Sequence, residues 1–183
     1  MRTSKTLLAL FCLFVPWMSP VAQDFSPTQG YRMEIGSGLA LECTGGIMTF
    51  NPVNKKSGNQ VWNIKPSARD GYFVLVNPQT QMALDNGNHG NNAGEVCPWD
   101  INPDNANQQW KLKQVAEDTY TLTCAAGGLK LGYNDNCQPG GRVWQVKLDD
   151  SDEAVRWRLV KTNLKTSVQT NLGKSKNDWE NET

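Results

Sequence analysis

The sequence predicts an all-β fold closed by threefold repetition, and three observations predict it. Short apolar strands alternate with Gly-, Asn- and Pro-rich turns, and no helical periodicity occurs anywhere along the chain. A Trp-centred segment recurs as Asn59-Gln60-Val61-Trp62, Asn107-Gln108-Gln109-Trp110 and Val155-Arg156-Trp157, its Trp residues 48 and 47 positions apart. The beginnings of the repeats echo one another too: Gly30-Tyr31-Arg32-Met33-Glu34-Ile35, Gly71-Tyr72-Phe73-Val74-Leu75-Val76 and Asp118-Thr119-Tyr120-Thr121-Leu122-Thr123.

The N-terminus reads as a leader. Arg2 and Lys5 precede the apolar run from Leu7 to Val15, and the small-residue stretch Ser19-Pro20-Val21-Ala22 follows. A membrane-spanning helix needs roughly 20 apolar residues, and this run is too short. Residues 1–22 are therefore expected to be a secretory signal peptide and the product to be exported, with an uncleaved anchor as the competing reading. Residues 23–27 form a short lead to the repeats.

Removing the leader takes away two cations and no anions, so 18 Lys+Arg against 18 Asp+Glu become 16 against 18, a formal charge of −2. Nucleic-acid binding needs a surplus of cations and is not expected. The leader also carries Cys12, which leaves Cys43, Cys97, Cys124 and Cys137. Four cysteines in an oxidising compartment predict two disulfides, with three pairings open. Cys124 and Cys137 are close in one segment and form the favoured pair, which leaves Cys43 with Cys97. Zinc is the rival use of these thiols, but no CxxC or HxxxH spacing exists and His89 stands alone. No metal or other cofactor is expected.

Each repeat continues with a short apolar strand (Leu39-Ala40-Leu41, Met82-Ala83-Leu84, Leu129-Lys130-Leu131), then a loop rich in Gly and Asn, then another short strand. Four strands per repeat give about twelve. A repeat that cannot bury its own apolar face must pack on its copies, and Trp62, Trp110 and Trp157 are the natural shared core. A β-propeller also repeats four strands at this length, but three blades are too few, and threefold closure is preferred. From Thr162 the composition turns polar, and 163–183 is read as a disordered tail ending in the sequon Asn181-Glu182-Thr183.

Two intact QxW triplets and one degenerate copy, at this spacing and behind a leader, resemble the ricin B-type lectins. The resemblance covers about residues 28–162 and implies a β-trefoil. It also implies carbohydrate binding, with galactose or N-acetylgalactosamine residues of glycans as the partners. The composition leans the same way: 18 Asn, 11 Gln and seven Trp suit uncharged, hydroxylated ligands. A neutral sugar site needs an aromatic plane for the C–H face of the ring, with a carboxylate and amides for its hydroxyls.

The resemblance places those groups in a fixed order within each competent repeat. In the middle repeat Asp85 supplies the carboxylate, Trp99 the platform 14 residues later, and Asn107 and Gln108 the amides. Gln108 has a framework role in this family as well. Asp85, beside Asn86-Gly87, has the bland alternative of capping a turn. The first repeat offers a weaker second site in Glu42, Phe50, Asn59 and Gln60, with only eight residues between carboxylate and ring. In the third, Gly132, Val146, Ala154 and Val155 occupy the four positions, Trp144 is read as structural, and no binding is expected.

An enzyme is not supported. A single His cannot assemble a nucleophilic triad, no phosphate-binding Gly-rich loop is present, and no paired carboxylates mark a glycosidase cleft. The other reading kept is a trefoil that lost its sugar and serves as a protein-interaction module, such as an inhibitor or host-interaction factor.

Overall fold

A computed structural model of the chain describes residues 25–36, 38–134 and 137–164. The leader and all but the first two residues of the tail lie outside them. Among the described residues there are thirteen strands and no α-helix, only single 3-10 turns at Gly58–Gln60 and Glu153–Val155.

Six strands close a barrel. β1 (Gly30–Ile35), β4 (Trp62–Pro66), β5 (Phe73–Asn77), β9 (Trp110–Ala116), β10 (Thr119–Cys124) and β13 (Trp157–Thr162) follow one another edge to edge. β13 pairs with both β10 and β1, so no barrel edge stays open. The remaining strands form three hairpins over one end: β2 (Leu39–Thr44) with β3 (Ile47–Pro52), β6 (Met82–Asp85) with β8 (Cys97–Asp100), and β11 (Lys130–Gly132) with β12 (Trp144–Val146). A two-residue strand, β7 (Gly94–Glu95), precedes β8 and pairs with β12, and a bridge from Thr49 to Arg142 ties the first hairpin to the third. With β7 and β8 taken together, each repeat contributes four strands. This is the β-trefoil.

The three QxW tryptophans are the shared core. Trp62, Trp110 and Trp157 are fully buried, and their indole N–H groups donate to the carbonyls of Leu41 (3.1 Å), Leu84 (3.0 Å) and Leu131 (2.9 Å). A buried indole has one donor to satisfy, and each repeat satisfies it on the same residue of its hairpin. Those bonds fix the equivalence Leu41-Glu42, Leu84-Asp85, Leu131-Gly132.

The strand starts align one residue differently from the sequence echo. Trp62, Trp110 and Trp157 face Tyr31, Phe73 and Tyr120 across the barrel ladders, so Tyr31 corresponds to Phe73 and Tyr120 and not to Tyr72 and Thr119. These three rings surround Phe25, which meets each of them edge-on at 5.7, 5.3 and 5.8 Å. The expected lead therefore contributes a core residue that plugs the barrel, and the packed unit begins at Phe25.

Neither expected disulfide forms. Cys43, Cys97, Cys124 and Cys137 all stand as thiols. Cys124 occupies the place that Asn77 fills one repeat earlier. Asn77 donates to the carbonyls of Asn59 (2.8 Å) and Gly58, and the Cys124 thiol faces those of Asn107 (3.7 Å) and Ala106 (3.6 Å). Cys43 lies 3.3 Å from the Thr80 hydroxyl. Each of these sulfurs is directed at the neighbouring repeat and not at another cysteine.

Candidate functional site

The β6–β8 hairpin carries the expected carboxylate and ring. Asp85 ends β6 opposite Cys97, and Ala83 lies opposite Trp99. Side chains alternate along a strand, so Asp85, Ala83, Cys97 and Trp99 share one face. Ala83 adds no bulk beneath the indole, and Trp99 is 62 % exposed, the most exposed large apolar side chain among the described residues. An indole held out in water on a strand presents a flat apolar face on which another ring can stack.

Behind the ring the polar groups are wired together. Asp85 is 4 % exposed, its Oδ1 accepting from the Gly87 amide at 2.8 Å and its Oδ2 from Gln108 Nε2 at 3.1 Å. Gly87 makes that turn with φ +69, and a Cβ there would meet the Glu95 carbonyl at 3.0 Å. The turn-capping alternative is thus seen directly: one oxygen caps the turn, and the other is anchored by Gln108. Two accepted bonds leave lone pairs free on the carboxylate.

Gln108 is fully buried. Its Nε2 also donates to the Asp100 carbonyl at 2.8 Å, and its Oε1 accepts from the Asn102 amide at 2.8 Å. Both N–H bonds are spent within the protein, so Gln108 positions Asp85 and does not reach a ligand. Asn107 is half-buried, and its side chain makes no hydrogen bond among the described residues. Its carbonyl accepts from the Asn86 amide at 3.0 Å, which fixes Asn107 beside the Asp85 turn. Cys97, unremarked in the sequence except as a disulfide partner, shares the face with Asp85. Burial, and after it the Asp85 charge, pushes its thiol above the ordinary range.

The first repeat copies the wiring and lacks the ring. Gln60 donates to Glu42 Oε2 at 2.7 Å and to the Pro52 carbonyl at 3.0 Å, and accepts from the Asn54 amide at 2.8 Å. Phe50 is not a platform: it faces Leu41, has no exposed surface, and stacks on Trp157 at 5.7 Å. The position equivalent to Trp99 is Asn51, opposite Ala40. The eight-residue interval from Glu42 to Phe50 does not bring the ring to the Glu42 face, because pairing with the preceding strand decides which face a side chain takes. The polar groups are also self-paired. Thr44 donates to Glu42 Oε1 at 3.0 Å, and Asn59 to Thr44 at 3.4 Å. Thr44 stands where the middle repeat has Gly87, whose missing side chain leaves Asn107 unclaimed.

The third repeat is sealed. A Cβ at Gly132 would lie 2.3 Å from the Ala154 carbonyl, and Val146, at the Trp99 position, is buried. No cluster of His, Cys, Asp or Glu suited to a metal ion occurs among the described residues.

Residues 58–146, which contain the middle repeat, match the family described as ricin-type beta-trefoil lectin domain-like. Over those residues the chain is similar to that family, and its β-trefoil fold agrees with the match. Solved structures share its fold. The designed threefold-symmetric protein ThreeFoil is 24 % identical over 73 % of this chain and 98 % of its own, with a TM-score of 0.65. An exo-β-1,3-galactanase from Clostridium thermocellum is 20 % identical over 76 % of this chain and 32 % of its own, TM-score 0.67, so this chain spans about a third of that enzyme's length. SeviL, solved with asialo-GM1 saccharide, is 20 % identical over 73 % of this chain and 96 % of its own, TM-score 0.56. No curated protein matches the chain by sequence.

Proposed function

We propose that this chain is a secreted, non-enzymatic carbohydrate-binding protein that recognises galactose- or N-acetylgalactosamine-type residues of glycans through its middle repeat. The observation that carries the reading is the exposed indole of Trp99 on the same sheet face as Asp85, whose carboxylate Gln108 holds from behind. The sugar ring stacks on Trp99, and adjacent hydroxyls bond Asp85 and Asn107. Export follows from the leader in residues 1–22. No helix among the described residues is long and apolar enough to cross a membrane.

A galactose-agarose column with a glycan array tests the proposal. The protein is retained and eluted by free galactose, and Trp99→Ala and Asp85→Ala pass through. Absence of retention on every glycan, or a Trp99→Ala variant that behaves like the parent, overturns it. Those outcomes belong to the other reading, a trefoil protein-interaction module, which the self-paired first repeat and sealed third repeat favour.

A further inference from the structure

The junction of the third repeat with the first holds a cleft of about 610 Å³. It lies between the β1–β2 turn, the β9–β10 turn and the start of β13. Glu34, Thr119, Glu153, Arg156 and Arg158 supply its polar lining. The volume falls within the roughly 300–1,000 Å³ usual for small-molecule sites.

Arg156 is the anomaly. It is the middle residue of the third Trp-centred segment, where the other repeats place buried neutral side chains: Val61, and Gln109, which donates to the Pro103 carbonyl at 2.9 Å. The Nε of Arg156 is shielded from solvent and bonded to nothing, and its guanidinium has no hydrogen bond or ion pair among the described residues. A shielded, unpaired donor is destabilising, and an acceptor entering the cleft removes that penalty.

Arg158, two residues on, carries a second guanidinium into the same lining, with its side chain 63 % exposed. One of its nitrogens bonds Glu34, and that carboxylate is itself buried and held by Arg32 at 3.0 Å. Glu34 is thus compensated from both sides, and its charge does not close the cleft to anions. Two arginines and two glutamates line the cleft, and Arg32 behind Glu34 leaves one cation in excess. Glu153 and the Thr119 hydroxyl add acceptors suited to hydroxyl groups.

We propose that this cleft is a second binding site, separate from the middle-repeat face, for a carboxylate-bearing, hydroxylated ligand of the acidic-sugar class. Its carboxylate lies on Arg156 and Arg158, since a guanidinium fork matches a carboxylate in two parallel bonds. Its hydroxyls face Glu153 and Thr119.

Titration of the full chain with glucuronic acid, N-acetylneuraminic acid, galactose and acetate, followed by amide NMR shifts, tests this. The sugar acids shift Gly36, Thr119 and Arg156 saturably, acetate shifts them at least tenfold more weakly, and galactose leaves them unmoved. Arg156→Met loses at least tenfold in sugar-acid affinity yet melts no lower than the parent, whereas Trp99→Ala keeps the shifts. No shift with either acid, a lowered melting temperature for Arg156→Met, or loss of the shifts in Trp99→Ala overturns the proposal. Acetate binding as tightly as the sugar acids overturns the assignment to a sugar.

Discussion

Gln108 holds Asp85 from within the core: its Nε2 lies 3.1 Å from Oδ2, and no part of Gln108 reaches solvent. Gln60 holds Glu42 in the same way at 2.7 Å. The QxW glutamine is therefore a repeated brace, and under the proposed function a repeat binds sugar only if it also keeps an outward ring and leaves its amide uncommitted.

Gln108→Ala separates the brace from the site. It strands the Asn102 amide and releases Asp85, so stability falls by about 1–3 kcal/mol in urea unfolding. Galactose affinity falls at least tenfold in calorimetry. Unchanged affinity in the folded variant contradicts the positioning role.

The first repeat is expected to be silent. Glu42→Ala leaves galactose binding within twofold of the parent, because no aromatic plane faces that carboxylate. A single neutral-sugar site also predicts that the purified monomer does not agglutinate cells bearing neutral glycans, since crosslinking needs at least two engaged sites. Agglutination without dimerisation contradicts it.

Phe25 plugs the barrel and touches no part of the site. Phe25→Ala lowers stability by about 3–5 kcal/mol, the usual cost of deleting a buried ring, and leaves galactose affinity unchanged in the folded fraction. A melting curve and a titration at low temperature check both halves.

Cys124 gives a pH signature. Burial pushes its thiol from 9.0 to about 11. Its protonated form is favoured in the fold, so its contribution is present below pH 9 and is lost as pH rises from about 9 to about 11. Cys124→Ala shows a smaller fall in unfolding free energy across that window, and in the parent Cys124 alkylates far more slowly than an unfolded control at pH 8.

The barrel was legible in the sequence because its determinants are local and repeated: Trp62, Trp110 and Trp157 fall at fixed spacing, and each needs the same carbonyl. The middle-site residues were legible for the same reason, each a fixed step from a core Trp or Leu. Phe50 was misplaced because the loop lengths of the repeats differ and only strand pairing reveals that Asn51 matches Trp99. Phe25 was missed because a lone ring outside the repeats gives no periodic signal. The thiol state could not be read from cysteine count, since Cys124 fills a slot that Asn77 fills elsewhere. The Arg156 cleft joins residues more than 120 positions apart, Glu34 and Arg158 among them, and no linear pattern marks it.

Calorimetric titration of the full chain with methyl β-galactoside, run in parallel on Trp99→Ala, tests the central claim most directly. The account predicts saturable binding at one site per chain for the parent and at least a tenfold loss for the variant, with unchanged melting temperature. Equal binding by parent and variant, or none by the parent, would contradict it.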